Sequence, residues 1–219
     1  MKRILLLFVF STLLIPSAWC SDIDRTLTEM DAFWNKVKTF SARFVQTKKI
    51  VLFEDEITSR GVFRYKNPGI MIWRYGPPEN TTLIISPGSI TILFSDLNKA
   101  KVIEFGGTAQ KPDEAAVSIG IGGGMKKLAE TFEVGVIIDK GLFRLTLIPR
   151  EKKEGMSFEK VEIVMDREYL PLTTKIYEFH GDTTTITFSD QRINPTMSED
   201  DFSLDLPRGT EIERITLSQ

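Results

Sequence analysis

Residues 61–75 read GVFRYKNPGIMIWRY, and this stretch indicates the fold of the chain. Two apolar segments flank Lys66-Asn67-Pro68-Gly69, which is a strong turn signal. Because side chains alternate between the two faces of a strand, the large side chains of each segment fall on one face. These side chains are Phe63 and Tyr65 before the turn, and Met71, Trp73 and Tyr75 after it. The stretch therefore predicts an antiparallel hairpin with one aromatic face.

The same alternation continues on both sides of this hairpin. Phe40, Ala42 and Phe44 alternate with polar residues before it, and Pro87-Gly88 marks a second hairpin after it. Further alternating runs extend through the second half of the chain, for example around Phe143. We count about ten or eleven strands with short polar connections and no interdomain linker. This spacing predicts a chain that is mainly β with few helices, folded as a barrel or a strongly curved antiparallel sheet.

Helices are predicted at three places. Apolar residues recur at steps of three and four from Ile23 to Val37, which indicates an amphipathic helix that packs against the sheet. Ser21 and Asp24 resemble a capping pair at its start. Pro112-Asp113-Glu114 predicts a short helix start, and residues 125–132 predict a further short helix.

The N-terminus is typical of an exported protein. Met1-Lys2-Arg3 is followed by an apolar run of about twelve residues, whereas a membrane-spanning helix needs roughly twenty. Ala18-Trp19-Cys20 fits a cleavage site with small residues at its first and third positions. We therefore predict a signal peptide over residues 1–20 and a single β domain over residues 21–219.

Cys20 is the only cysteine of the chain, so no disulfide can form within the domain. One interpretation is that Cys20 leaves with the signal peptide, and the mature protein begins at Ser21. The other is that Cys20 becomes a lipid-modified N-terminal residue. The bulky Trp19 disfavours lipidation, because lipoprotein signals usually place a small residue before the cysteine.

Composition argues against several classes of function. The chain carries 28 basic and 30 acidic residues, and nucleic-acid binding needs a strong basic field. The one histidine, His180, lies in a predicted turn, which is typical of a solvated residue rather than of a catalytic triad. A zinc site needs several histidine or cysteine ligands. The glycine-rich residues 120–124 do not have the spacing of a phosphate-binding loop. We predict no metal, no cofactor and no enzyme activity.

Five stretches resemble the periplasmic outer-membrane lipoprotein carrier family, the LolA type. They are FSARFVQ at 40–46, GVFRYKNP at 61–68, WRYGPP at 73–78, residues 83–94 with their Pro87-Gly88 turn, and FSLDLPRGTE at 202–211. Their order and spacing carry the resemblance across most of residues 23–216.

The resemblance implies an unclosed, strongly curved antiparallel β-barrel with a helical lid over a hydrophobic cavity. In the family this cavity holds the acyl chains of lipoproteins. The implied partners are acylated lipoproteins, an inner-membrane ABC-type release complex and an outer-membrane acceptor, and the carrier is expected to be a periplasmic monomer. The aromatic strand faces suggest the cavity residues, which we predict to be Phe44, Phe63, Tyr65, Met71, Trp73, Tyr75 and Phe143.

One position departs from the family pattern. Family members often carry an arginine just before the proline of the Lys-x-Pro turn, where it helps to hold the lid closed, and here that position is Asn67. We therefore expect lid closure to be weaker or to use other contacts. Two alternatives share the fold: an outer-membrane-anchored acceptor of the LolB type, lipidated at Cys20, and a lipid-sensing or regulatory module. An enzyme acting on lipid is the least favoured alternative.

Overall fold

The computed structural model describes residues 18–53, 55–105, 121–122, 124–151, 158–204 and 206–217. Within these ranges the chain forms twelve strands and two α-helices, so the prediction of a mainly β chain is confirmed. Residues 1–17 of the predicted signal peptide and the predicted helix start at Pro112 lie outside the described residues.

The strands are 6–12 residues long, and most of them follow one another through short connections. The helices are α1 (Ala18–Trp34) and α2 (Met125–Thr131). The strands of the first half are β1 (Thr39–Ile50), β2 (Asp55–Lys66), β3 (Ile70–Tyr75), β4 (Thr81–Ser86), β5 (Ser89–Phe94) and β6 (Lys99–Phe105). Those of the second half are β7 (Phe132–Asp139), β8 (Leu142–Pro149), β9 (Phe158–Met165), β10 (Pro171–Glu178), β11 (Thr183–Ile193) and β12 (Glu211–Leu217). Short 3₁₀ helices lie at Val51–Phe53, Ser95–Leu97 and Glu199–Phe202.

All twelve strands belong to one sheet, in the order β12-β6-β5-β4-β3-β2-β1-β11-β10-β9-β8-β7. Neighbouring strands are antiparallel, except that β12 pairs with β6 in parallel. β12 and β7 lie at the two edges, so the sheet is not closed into a barrel, as predicted. Two parallel neighbouring strands cannot be joined by a tight turn, so the chain must cross the sheet before it reaches β12. The segment that follows β11 crosses along the outer face, where Asp201 forms an ion pair with Arg64 of β2.

Ring contacts show that the inner face of the sheet is concave. On a flat sheet Trp73 of β3 and Phe188 of β11 would lie three strand spacings apart, or about 14 Å. Their ring centroids are 6.1 Å apart, and Phe63 meets Phe188 at the same distance. Since side chains stand roughly perpendicular to a sheet, such rings converge only where the sheet curves toward them.

Helix α1 covers two groups of buried side chains on this inner face. The first, here called the aromatic cluster, includes Trp34 and extends over β1 to β4 and β11. The second, here called the aliphatic cluster, includes Leu27 and Met30 and extends over β7 to β9. α1 begins at Ala18, so Ser21 lies inside the helix and not at its N-terminus as predicted, because residues 18–20 extend the helical backbone upstream.

The short helix α2 is held to α1 by a side-chain cap. Its N-cap residue is Gly124, which has no side chain to accept the first backbone N–H groups. Asp31 of α1 replaces it: its carboxylate accepts hydrogen bonds from the backbone N–H of Gly124, Met125 and Lys126, at 2.8, 2.7 and 3.1 Å. Since such bonds satisfy the free donors of a helix start, the two helices are connected directly.

Candidate functional site

The aromatic cluster contains six of the seven side chains that the sequence predicts for the cavity. Five of them are at most 5% exposed: Phe44, Phe63, Tyr65, Met71 and Trp73. Tyr75 is half-buried and packs against the same cluster. Phe143 lies elsewhere, on β8 in the aliphatic cluster, with its ring 4.8 Å from Tyr169. The structure therefore gathers six predicted residues into one site and separates the seventh.

Strand register brings the six side chains together. Phe63 of β2 is paired with Trp73 of β3, and Tyr65 is paired with Met71. Directly opposite residues share a face and lie within contact distance. The Phe63 and Trp73 ring centroids are 4.6 Å apart, which places them at the centre of the cluster.

Gly61 allows the ring of Phe44 to cross β2. Phe44 and Gly61 are a register pair, and the Phe44 ring reaches Trp73 and Tyr75 on β3, with centroids 4.9 and 5.0 Å away. A Cβ atom on Gly61 would lie 2.7 Å from the Phe44 ring and 2.1 Å from the carbonyl oxygen of Arg74. The contact between β1 and β3 therefore requires glycine at this position.

Four further aromatic residues belong to the cluster and were not among the predicted cavity residues: Phe33, Trp34, Phe40 and Phe188. Trp34 and Phe40 lie on the predicted helix and strand faces, so their periodicity could have identified them. Phe188 has no comparable local signal, because its contacts with Phe63 and Trp73 depend on the curvature of the sheet.

Trp34 is fully buried, yet its indole N–H has no hydrogen-bond partner among the described residues. Its ring makes edge contacts with Phe40 and Tyr65, with centroids 5.6 and 6.2 Å away. A buried donor without an acceptor costs about 1–3 kcal/mol. The junction between α1 and the sheet is therefore apolar but contains one unsatisfied donor.

Asn67 contacts the segment that follows α1. Its Nδ2 donates a hydrogen bond to the carbonyl oxygen of Val37 at 3.2 Å, and its backbone N–H donates to Lys38 at 2.8 Å. We expected lid closure to use other contacts or to be weaker at this position. The contact that the structure shows for the Asn67 side chain is this one neutral hydrogen bond.

Four side chains that form polar contacts lie beside the aromatic cluster on the inner face. Tyr75 Oη donates a hydrogen bond to Gln46 Oε1 at 3.1 Å, and Ser59 Oγ donates to Glu79 Oε1 at 2.6 Å. Burial, together with the negative charge of Glu79, raises the pKa of Tyr75 to about 12. We call these four residues the Glu79 cluster. Tyr75 joins it to the aromatic cluster through its contact with Phe44.

Metal and nucleophilic sites find no support in the described part of the chain. No group of three or more potential metal ligands occurs there. His180 is exposed in the turn between β10 and β11. Neither described helix has the length and apolar composition of a membrane span.

Comparisons with known proteins show similarity to one family over most of the chain. The family model described as outer membrane lipoprotein carrier protein LolA matches residues 35–205. An outer-membrane lipoprotein carrier protein of Nitrosomonas europaea is 26% identical over 217 residues, covering 98% of this chain and 100% of that relative. Another, of Bordetella avium, is 25% identical over 197 residues, covering 88% of each.

Among solved structures, an uncharacterized conserved protein from Thermus thermophilus superposes with a TM-score of 0.53 at 10% identity. The match covers 88% of this chain and 99% of that one. At this identity the likeness concerns the fold alone, and it agrees with the architecture described above.

Proposed function

This chain belongs to the outer membrane lipoprotein carrier protein family, LolA, and on that premise we propose that it is a periplasmic carrier of acylated lipoproteins. The family is one of carriers and not of catalysts, which agrees with the prediction that the chain is not an enzyme. In this proposal the acyl chains bind on the inner face of the sheet, and the polypeptide of the cargo remains outside.

The aromatic cluster is the observation that supports this role best. It is a continuous group of buried apolar side chains on the concave face, and Trp34 of α1 belongs to it. Each methylene that leaves water is worth about 0.8 kcal/mol, so a chain of roughly 16 carbons loses about 12 kcal/mol when it is exposed. A carrier that substitutes aromatic side chains for water removes this cost, and no ATP is needed at the carrier.

Access to the cluster requires α1 to move, because Trp34 and Phe33 cover it. Few polar contacts oppose this movement among the described residues. They include the Asn67–Val37 hydrogen bond and a hydrogen bond of 2.9 Å from Tyr169 Oη to Glu29. Since Asp31 caps α2, we infer that α1 and α2 move together as one lid. An acyl chain then replaces the contacts that α1 makes in the closed form.

The proposed cycle has two partners. The cargo is received from an inner-membrane ABC-type release complex and delivered to an acceptor at the outer membrane. Transfer between two membranes requires that the carrier itself be free in the periplasm. The names of the relatives support a carrier of outer-membrane lipoproteins, and the two partners are those that the resemblance implies.

A release assay tests the proposal. Inner membranes that hold a labelled lipoprotein are incubated with the purified mature protein, and we expect labelled lipoprotein in the soluble fraction, in complex with the carrier. Failure to release any lipoprotein while the protein remains folded would contradict the carrier role.

Trp73→Ala should reduce this release, because truncation removes an aromatic side chain at the centre of the cluster. Loss of a buried tryptophan costs about 3–5 kcal/mol of stability, so thermal melting must accompany the assay. Val62→Ala is the matched control, since Val62 pairs with Arg74 on the opposite face of the same strands. Full release by a well-folded Trp73→Ala protein would remove Trp73 from the site.

A further inference from the structure

The inner face changes from apolar to polar along β1 and β2. After the pair Phe44–Gly61, the next pair that faces inward is Gln46–Ser59. Ser59 is buried, at 7% exposure, and Gln46 is half-buried. Buried polar side chains are costly unless they are hydrogen-bonded, so the partners of these two residues indicate what the region can bind.

Each of the four side chains in the Glu79 cluster has a hydrogen-bond partner within it. The Gln46 carbonyl accepts from Tyr75, and the Ser59 hydroxyl donates to Glu79. Glu79 differs, because only one of its carboxylate oxygens is bonded. Oε2 is enclosed and has no hydrogen-bond partner among the described residues.

The backbone holds Glu79 in this position. The β3–β4 connection begins with Gly76, whose N–H donates to the carbonyl of Arg60 on β2 at 2.8 Å. Glu79 N–H donates to Gly76 O at 3.2 Å, and the Thr81 hydroxyl donates to Glu79 O at 2.9 Å. Glu79 is therefore anchored to the sheet on both sides, and its free oxygen is positioned before any ligand arrives.

A carboxylate oxygen accepts hydrogen bonds and repels anions. Tyr75 does not donate a hydrogen bond to Glu79 Oε2, because its hydroxyl donates to Gln46. A ligand that supplies an N–H group would satisfy Oε2, whereas a ligand with a carboxylate head would be repelled. Because the ring of Tyr75 packs on Phe44, such a ligand could extend its apolar part into the aromatic cluster.

We propose that the Glu79 cluster is a head-group subsite, which binds an amide N–H at the polar end of an acylated ligand. This inference rests on the proposed function and adds selectivity to it. The acyl chain of the ligand packs in the aromatic cluster, and its first amide N–H donates to Glu79 Oε2. Lipids that end in a carboxylate or a plain ester bind less well.

Three probes with one chain length test the proposal: N-methyldodecanamide, which has one N–H, methyl dodecanoate, which has none, and dodecanoate, which is anionic. Affinities are measured by displacement of a fluorescent apolar probe from the mature protein. Each is compared between the wild type and Glu79→Gln, which keeps the shape and the bond to Ser59 but replaces Oε2 with a donor. Glu213→Gln is the control, since Glu213 is exposed on β12.

We expect the preference for amide over ester to be about tenfold greater in the wild type than in Glu79→Gln. The variant loses one hydrogen bond from the amide N–H to a charged acceptor, and a loss of this kind changes affinity by about that factor. Dodecanoate should bind more tightly to Glu79→Gln than to the wild type, and Glu213→Gln should match the wild type. Binding of all three probes with preferences unchanged by Glu79→Gln would overturn this inference and leave the carrier role intact. Binding of none of them would overturn both.

Discussion

Gly61 is a single residue on which the packing of three strands depends. Its lack of a side chain allows Phe44 of β1 to contact Trp73 and Tyr75 of β3 across β2. Nothing in the local sequence distinguishes this glycine from one in a turn. Its role follows from its register opposite Phe44.

We therefore predict that Gly61→Ala destabilises the protein by about 3 kcal/mol, because overpacking and backbone displacement are costly. The new Cβ would collide with a backbone carbonyl, which cannot rotate away. Gly135→Ala on β7 is the control, since a Cβ there meets Thr146 at 3.7 Å, an ordinary contact. Chemical denaturation measures both variants, and equal stability of the two would contradict the prediction.

Tyr75 should give the protein a measurable pH dependence at alkaline pH. Its pKa is raised to about 12 in the folded state by burial and by the negative charge of Glu79, whereas an unfolded tyrosine titrates near 10. The stabilisation from its protonated form is therefore complete below pH 10 and is lost as the pH rises toward 12. The difference between a pKa of about 12 in the folded state and about 10 in the unfolded state corresponds to about 2–3 kcal/mol.

Tyr75→Phe removes this ionisation together with the hydrogen bond to Gln46. We expect the stability advantage of the wild type over Tyr75→Phe to shrink between pH 10 and 12 and to be constant from pH 7 to 9. Urea denaturation at a series of pH values measures the difference in free energy of unfolding between the two proteins. Because both contain the other tyrosines, the titration of those residues cancels in this difference. A difference that does not vary with pH would show that Tyr75 titrates normally.

At the scale of elements, the β2–β3 turn contacts the segment that follows α1, the helix proposed as part of the lid. Asn67 provides one side-chain hydrogen bond to the backbone just after the helix, at Val37. A neutral hydrogen bond contributes about 1 kcal/mol, so the closed form is held weakly at this point. Such an attachment suits the proposed lid, which would open for each cargo.

Asn67→Ala should increase the rate of amide hydrogen exchange in α1 while it leaves the strands β8 and β9 unchanged. The expected effect is about a fivefold increase, which corresponds to the loss of about 1 kcal/mol. Asn35→Ala is the control, because Asn35 is an exposed residue between α1 and β1. Exchange in α1 that is the same in both variants would mean that other contacts hold the helix.

At the scale of the whole molecule, the state of the N-terminus separates the free carrier from the anchored acceptor. A carrier must move between membranes, whereas an acceptor must stay at one of them. We expect a mature protein that begins at or near Ser21, with neither Cys20 nor lipid. Several acyl chains anchor a protein firmly, so the two forms should also fractionate differently.

Intact-mass measurement of the exported protein tests this expectation. A mass that corresponds to residues 21–219 supports the carrier. A mass that includes Cys20 with diacylglycerol would favour the LolB-type acceptor. Cys20→Ala is a useful companion variant, because it should leave export and solubility unchanged if the cysteine is removed with the signal peptide.

Local pattern predicted most elements of this fold: we count about ten or eleven strands from the sequence, and the described residues form twelve. The hairpin of β2 and β3 follows from alternation with period two around Lys66-Asn67-Pro68-Gly69, and α1 follows from apolar steps of three and four. The six predicted residues that meet in the aromatic cluster share these strand faces. Phe143 has the same alternation, yet it belongs to the aliphatic cluster, because periodicity assigns a face and not a position along the sheet.

The sequence by itself determined most of the strands, which of their faces are apolar and which family the chain resembles, because these properties depend on neighbouring residues and on their order. The tertiary structure alone decided the parallel pairing of β12 and the contact of Phe188 with Trp73. It also decided that Glu79 meets Ser59. These contacts join residues far apart in the chain, and they depend on strand order, register and curvature, which no local pattern encodes.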